Sequence, residues 1–160
     1  MPKVIVNSTP IIALAKIHHL DLLHEMYGDI TIPEAVYREV TEKNDEVREQ
    51  ITARGWIHVE AVKHTENRAM YKAKLHDGEV EVMILAQEYG SDHKVIIDDD
   101  SARKTAIYLG LNLTGTLGVL IKAKQCGFIQ NVMTVVAEME AHKIYFSERL
   151  KNMIRNVSGE

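Results

Sequence analysis

The stretch Val95-Ile96-Ile97-Asp98-Asp99-Asp100 decides the fold, because a short apolar run leads directly into three consecutive aspartates. An apolar run of this length predicts a buried β-strand, so the aspartates lie at the carboxyl end of that strand. Carboxylates crowded in this way repel one another, and a raised pKa or a bound divalent cation relieves the repulsion. One aspartate is also expected to cap the next helix, predicted over 101–109. A metal site and a helix cap both remain open at this point.

Apolar strands alternate with amphipathic helices on both sides of this stretch. Strands are predicted over 4–6, 30–32, 56–59, 95–97 and 111–113, with helices over most of the intervening segments. The helical pattern over 63–75 is the least regular. Strands alternating with helices of ordinary length indicate a parallel α/β sandwich. No repeat, linker or low-complexity segment divides the sequence, so residues 1–160 are predicted to form a single domain.

Composition and charge limit the class of protein. The chain has 160 residues and a formal net charge of −4, which disfavours a generic coat for nucleic acid. A nuclease stays open, because metal-binding carboxylates themselves add negative charge. The single cysteine, Cys126, excludes a disulfide within the chain and is predicted to be a packed thiol. With no signal peptide and no apolar run of membrane length, we expect a cytoplasmic protein that does not contact a membrane.

Further polar side chains are predicted at the same edge of the sheet. Functional residues of open parallel sheets gather at the carboxyl ends of the strands, where Asn7-Ser8-Thr9 follows the first strand. Helices beside those strand ends can add Glu39 and Glu79 to Asp98. Carboxylates around hydrated Mg²⁺ or Mn²⁺ suit phosphodiester hydrolysis, because the metal polarises the phosphoryl oxygen and lowers the pKa of the attacking water.

Each of these side chains also has a purely structural explanation. Glu39 lies in a glutamate-rich segment and could belong to a solvated helix face. Glu79 could serve only as a partner of the helix dipole, and Asn7 only as an N-cap. Glu81 is expected to face away from Glu79 on the helix, so it is left out of the predicted site.

Five sequence blocks in order resemble PIN-like domains: Val-Asn-Ser-Thr-Pro-Ile-Ile-Ala-Leu-Ala-Lys (6–16), Ile-Pro-Glu-Ala-Val-Tyr-Arg-Glu-Val (32–40), Asp-Gly-Glu-Val-Glu (77–81), Ile-Ile-Asp-Asp-Asp-Ser-Ala-Arg (96–103) and Gly-Leu-Asn-Leu-Thr-Gly-Thr-Leu-Gly-Val-Leu (110–120). The resemblance is strongest to a prokaryotic subgroup related to the VapC toxins of toxin–antitoxin pairs. It implies a three-layer α/β/α sandwich with a central, mainly parallel sheet. It also implies a magnesium-dependent ribonuclease activity.

The resemblance assigns a role to each residue of the predicted site. The metal ligands that it implies are Asn7, Glu39, Glu79 and Asp98, with Asp99 or Asp100 as an auxiliary ligand. The catalytic carboxylates are then Glu39, Glu79 and Asp98. The hydroxyls of Thr9 and Thr116 lie where they would approach the metal or its waters. From its place on the helix after Asp100, Arg103 is expected to contact a phosphate of the nucleic acid. Asn7 departs from the aspartate that is usual at the first position, which removes one negative charge from the site.

The leading hypothesis is an Mg²⁺- or Mn²⁺-dependent endoribonuclease that acts as a toxin and is held in check by a small antitoxin. The alternative is a PIN-like module that binds RNA or a protein partner and has lost catalysis through Asn7. A phosphate-handling α/β protein of the receiver or haloacid dehalogenase type is disfavoured, because the first strand lacks its aspartate.

A homodimer is also expected, in which two subunits form a shared groove flanked by Arg38 and Arg103. The apolar side chains predicted to be available for the interface are Ile17, Leu20, Met70 and Tyr71.

Overall fold

The computed structural model describes residues 2–160, which contain five strands and ten α-helices. The strands are β1 (Lys3–Val6), β2 (Ile30–Pro33), β3 (Ile57–Glu60), β4 (His93–Ile96) and β5 (Leu113–Thr114). The helices are α1 (Ser8–Lys16), α2 (Asp21–Tyr27), α3 (Glu34–Thr41), α4 (Glu46–Thr52), α5 (Arg68–Lys72), α6 (Asp77–Glu88), α7 (Asp100–Tyr108), α8 (Thr116–Gln125), α9 (Val132–Ala141) and α10 (Glu148–Ser158).

The five strands form one sheet in the order β3-β2-β1-β4-β5, and every neighbouring pair is parallel. β1 lies in the centre, where Ile5 pairs with Thr31 of β2 and with Val95 of β4. Ile5 and Val95 are fully buried, as expected for central strands that are covered on both faces. Because the strands are parallel, the carboxyl ends of β1 and β4 lie side by side at one edge of the sheet.

Helices cover the sheet and give a three-layer α/β/α sandwich, which confirms the predicted fold class. α6 packs across β2, β1 and β4 and also contacts α3, whereas α8, α9 and α10 pack against one another. All residues from Gly78 to Ala86 of α6 are buried, including two glutamates. A helix that is buried almost all round must satisfy any charged side chain within the protein, so these glutamates need an explanation.

Three boundaries and environments differ from the sequence predictions. The segment 63–75 holds only a 3₁₀ turn (Thr65–Asn67) followed by the five residues of α5. The fifth strand is displaced to Leu113–Thr114, because the N–H of Leu111 donates to the carbonyl of Ala106 instead of joining the sheet. Cys126 is exposed rather than packed, because it follows the last residue of α8 at the surface.

The prediction of the dimer interface is wrong for three of its four apolar residues. Ile17, Leu20 and Tyr71 are buried within the protein's own core, and only Met70 is exposed. His18 takes a left-handed backbone conformation between α1 and α2, and the chain reversal there places the neighbouring Ile17 and Leu20 inside. Within residues 2–160, no helix combines the length and the apolar character needed to cross a bilayer.

Candidate active site

Asn7 follows β1 directly, and its backbone N–H donates to the carbonyl of Ile96 on β4 at 3.0 Å. It occupies the N-cap position of α1, but its side chain makes no capping hydrogen bond. The residue is only 4% exposed, and its Oδ1 atom is buried without a hydrogen-bond partner. An unsatisfied buried acceptor costs about 1–3 kcal/mol. The side chain therefore does not act as a helix cap, and its oxygen is free to bind a ligand.

Glu39 reaches the same place from α3. A Cβ atom built on Gly78 would lie 3.3 Å from Glu39 Oε1 and 3.6 Å from Asn7 Oδ1, so both oxygens face this glycine at the start of α6. The glycine lets the helix come close to both side chains, because any larger residue would crowd them. Glu39 is the exposed member of this corner, because Asn7 and Gly78 are both buried.

Glu79 follows Gly78 at the start of α6 and adds a second carboxylate to this corner. It is 6% exposed, and its Oε1 accepts a hydrogen bond from the N–H of His76 at 2.9 Å, which forms a capping box at the start of α6. Burial raises the pKa of Glu79, and the negative charges of Asp99 and Glu39 raise it further, against the lowering effect of the His76 N–H. The corner thus holds negative charge that is incompletely compensated.

Asp98 lies at the end of β4 and is fastened to the start of α8. Its Oδ1 accepts from the N–H of Thr116 at 2.7 Å, and its Oδ2 accepts from the Thr116 hydroxyl at 2.5 Å. A Cβ atom on Gly115 would lie 2.8 Å from Asp98 Oδ1, so only glycine allows this contact. Each carboxylate oxygen still has a free lone pair for a further donor or a metal.

The other two aspartates diverge from Asp98. Asp99 caps α7 by accepting from the N–H of Ala102 at 3.0 Å, which confirms that one of the three acts as a helix cap. Asp100 lies exposed in the first turn of α7. The three side chains therefore have three different neighbourhoods although they are consecutive in sequence.

Arg103 and Thr9 stand beside Asp98. Nη1 of Arg103 donates to the carbonyl of Ile97 at 2.9 Å, which fixes the guanidinium at the end of β4. Thr9 is exposed in the first turn of α1. Both line a groove of about 540 Å³, together with Asp98, Asp100 and Thr116.

The structure shows two groups of polar side chains at this edge of the sheet. Asn7, Glu39 and Glu79 surround the start of α6, whereas Asp98, Thr116 and Arg103 surround the start of α8. Within residues 2–160, no three His, Cys, Asp or Glu side chains are clustered closely enough to hold a metal ion on their own. A metal at this edge would therefore need the Asn7 amide, water molecules or the substrate to complete its coordination.

The sequence profile of the PIN domain family DUF3368 matches residues 3–160, which is nearly the whole chain. The chain belongs to this family. No curated protein and no solved structure shows a significant match to the chain. PIN domains are generally nucleases, and they generally depend on divalent metal ions.

Sequence reasoning missed one important glutamate of this PIN domain. Glu81 is buried in α6, where its Oε1 accepts from the N–H of Ala35 at 2.9 Å and its Oε2 pairs with Nη2 of Arg68 at 2.5 Å. It thereby ties the first turn of α3, the helix that carries Glu39, to α6. The signal was present in the sequence, because a charged residue between Val80 and Val82 requires a buried partner.

Proposed function

We propose that this PIN domain is a divalent-metal-dependent ribonuclease that cleaves RNA at the edge formed by the ends of β1 and β4. The observation that carries the proposal is the buried, unpartnered Oδ1 of Asn7, which faces the same glycine as Glu39 Oε1. This oxygen has no hydrogen-bond partner in the protein that would explain its burial. The chain also belongs to a family whose members are generally nucleases. Asn7, Glu39 and Glu79, with Asp98 beside them, are therefore the proposed ligand set, and Asp99 and Asp100 are auxiliary.

The chemistry of these donors fits a hard divalent cation. All of the proposed donors are oxygen atoms, which Mg²⁺ and Mn²⁺ prefer. Neither Glu39 nor Glu79 forms an ion pair with a lysine, arginine or histidine in the described part of the chain. A cation bound there would compensate these charges, polarise a phosphoryl oxygen and lower the pKa of a water molecule.

The chain's own residues divide the remaining work. Glu79, whose pKa is raised by burial, is suited to accept the proton of the attacking water. Asp98 is held in one orientation by its two hydrogen bonds from Thr116, so its free lone pairs point in fixed directions. Arg103 is anchored to the carbonyl of Ile97 and offers its remaining N–H groups to a phosphate. The attacking group in this proposal is water, so no side chain becomes covalently modified.

A second candidate is a module that binds RNA or a partner without cleaving it. The neutral amide of Asn7 favours this function, because it lowers the negative charge available to hold a metal. The two candidates differ in one measurable property, which is turnover in the presence of a divalent metal.

The proposed ribonuclease is a cytoplasmic toxin that works as a homodimer and is inhibited by a small antitoxin. Arg38 on α3 is exposed and is available to flank a groove shared with a second subunit. Light scattering at tens of micromolar should show the dimer, whereas a monomer at that concentration would contradict this part of the proposal.

The test combines metal binding with RNA cleavage. Calorimetry with Mn²⁺ should show binding to the wild type and a clear loss of affinity in Asp98→Asn. Single-stranded RNA should be cleaved with Mn²⁺ or Mg²⁺ and not with EDTA, and Glu79→Gln should slow cleavage about 100-fold or more. The control is Glu25→Gln, because Glu25 is an exposed acid on α2 away from the site.

Two outcomes would contradict the nuclease. Cleavage that persists unchanged in EDTA would mean that the activity has another origin. RNA binding without cleavage under any divalent metal would establish the binding module instead.

A further inference from the structure

The groove beside Asp98 continues well beyond the polar residues of the site. At one end it is lined by Asp98, Arg103 and Thr116, and at the other by apolar side chains of α8, α10 and the connection before α10. The apolar lining includes Ile144, Tyr145, Phe146, Leu150 and Met153. One continuous groove of about 540 Å³ thus joins a charged end to an aromatic and aliphatic end.

Tyr145 is the exceptional residue of this lining. It is 72% exposed, although tyrosine is a large side chain that usually buries much of its ring. Its neighbour Phe146 packs partly against the core and anchors the segment.

The backbone around Tyr145 is fixed on both sides. Lys143 takes a left-handed conformation with φ 66°, which turns the chain after α9, and the N–H of Ile144 donates to the carbonyl of Met139 at 3.0 Å. Ser147 then caps α10 by accepting from the N–H of Leu150 at 3.1 Å. An exposed ring on a rigid connection can bind a flat ligand at a low cost in conformational entropy.

We propose that the apolar part of this groove is a nucleobase site, in which the ring of Tyr145 stacks on one base of single-stranded RNA. The phosphate next to that base would then lie at the charged end, within reach of Arg103. A nucleotide is a ligand that carries an anionic group and a flat apolar face side by side, which matches the two ends of the groove. This inference rests on the proposed function and names how that site holds its substrate.

The charge of the molecule supports a base contact. The chain has a net charge of −4, and the site itself is acidic, so attraction to phosphates cannot supply most of the affinity for RNA. Stacking on an aromatic ring tolerates any base and does not depend on net charge. Stacking on an aromatic side chain beside the site can supply affinity that net charge does not, and Tyr145 is placed to provide it.

RNA fits the apolar end better than an extended peptide does. A peptide backbone brings N–H and C=O groups that need hydrogen-bond partners when they are buried. The wall formed by Ile144, Leu150 and Met153 offers apolar side chains to an occupant, and a base can stack there while its polar edge faces solvent.

The experiment measures binding of a fluorescein-labelled, mixed-sequence single-stranded RNA of about 12 nucleotides. Binding is followed by fluorescence anisotropy in EDTA, which prevents metal-dependent cleavage. We expect Tyr145→Ala to weaken binding about tenfold, which is within the range for losing one stacked base. Tyr145→Phe should bind as the wild type does, because it keeps the ring. Tyr108→Ala is the matched control, because Tyr108 is an 89% exposed tyrosine on α7 outside the groove.

A second arm tests the base directly. In the same oligonucleotide made abasic throughout, wild type and Tyr145→Ala should bind equally weakly. Binding of intact RNA by Tyr145→Ala at the wild-type affinity would overturn the inference. So would a Tyr145→Ala variant that loses self-association in light scattering but keeps its RNA affinity, because the groove would then be a contact between copies of the chain.

The proposed function and the base site can fail separately. A wild type that cleaves RNA with Mn²⁺ and is matched by Tyr145→Ala in both binding and cleavage removes only the base site. A wild type that neither binds nor cleaves RNA removes both.

Discussion

Asn7 occupies the N-cap position of α1 without making the capping hydrogen bond, which leaves its side-chain oxygen without a partner in the protein. We predict that Asn7→Asp raises Mn²⁺ affinity about tenfold, because a carboxylate binds a hard cation more strongly than an amide does. Calorimetry measures the change. The matched control is Asn131→Asp at the N-cap of α9, where the side chain does accept a hydrogen bond from the N–H of Thr134. Unchanged metal affinity in Asn7→Asp would remove Asn7 from the ligand set.

Glu79 is a side chain in which stability and the proposed function have opposite requirements. Its raised pKa means that the folded protein holds the charged form unfavourably, so the group lowers stability above its unfolded-state pKa, and the loss is relieved as pH falls. We predict that Glu79→Gln stabilises the metal-free protein at pH 7 by about 1 kcal/mol, while keeping an acceptor for the N–H of His76. In thermal unfolding without metal, Glu79→Gln should have a higher Tm than the wild type. Added Mn²⁺ should raise the Tm of the wild type and not that of the variant. A lower Tm in the metal-free variant would show that the carboxylate has a structural role.

The sequence predicted which residue types stand at the strand ends, but not what each one touches. Asp98, Asp99 and Asp100 are equivalent in the sequence, yet only the structure shows that Thr116 holds the first and that Ala102 donates to the second. These partners are set by where α7 and α8 begin relative to the end of β4. Spacing along the chain carries no information about that packing.

Among the helices, α3 and α6 form the frame that carries Glu39 and Glu79, and Glu81 fastens them together. We predict that Glu81→Ala lowers the free energy of unfolding by about 2–4 kcal/mol, because it leaves the N–H of Ala35 and the Arg68 guanidinium without their partner. Urea denaturation measures this loss. Glu88→Ala on the same helix is the control, because the Glu88 carboxylate accepts hydrogen bonds from Lys63 and His64 near the surface.

The Glu81 contacts between α3 and α6 can also be tested for an effect on metal binding. Glu81→Gln keeps an acceptor for Ala35, so it should fold while losing the charge that holds Arg68. Its Mn²⁺ affinity should fall less than that of Glu79→Gln, because Glu81 lies outside the proposed ligand set. An equal loss in the two variants would place Glu81 among the ligands.

Regular elements were predictable wherever the apolar period was clear, as for the central strands and α6. The failures are at α5 and β5, which are both short. β5 has only two residues, and its position is set by pairing with β4 rather than by its own sequence. Short elements at the edge of a sheet depend on tertiary contacts, which a local pattern does not report.

For the molecule as a whole, the carboxylate of Glu160, just after α10, adds polar contacts to the packing of α10 on α8 and α9. Glu160 accepts hydrogen bonds from Lys124 Nζ and from the N–H groups of Val132 and Met133, so it joins α8 to the start of α9. Burial alone would raise the pKa of Glu160, but Lys124 and the two N–H groups lower it to about 2. The stability from this contact is present above the ordinary glutamate pKa of 4.5, and it is lost as pH falls towards 2.

We therefore predict that Glu160→Gln lowers the free energy of unfolding at pH 7 by about 1–2 kcal/mol. The difference in this free energy between wild type and variant should narrow as the pH falls from 4.5 to 2. Urea denaturation across this pH range checks both effects. Glu148→Gln on α10 is the control: Lys151 lowers the pKa of Glu148, but that side chain is exposed and should contribute little. A constant difference from pH 7 down to pH 2 would show that the Glu160 contact does not depend on charge.

The central position of β1 has a consequence for the time at which the site comes into being. β1 is made first but pairs with β4, whose residues emerge from the ribosome much later, and Asp98 is oriented only after Thr116 has been added. Such long-range pairing cannot form in a nascent chain that lacks the second strand. The proposed site would thus stay incomplete on the ribosome until Thr116 has been added, and the messenger being read would meet the proposed ribonuclease only after that point.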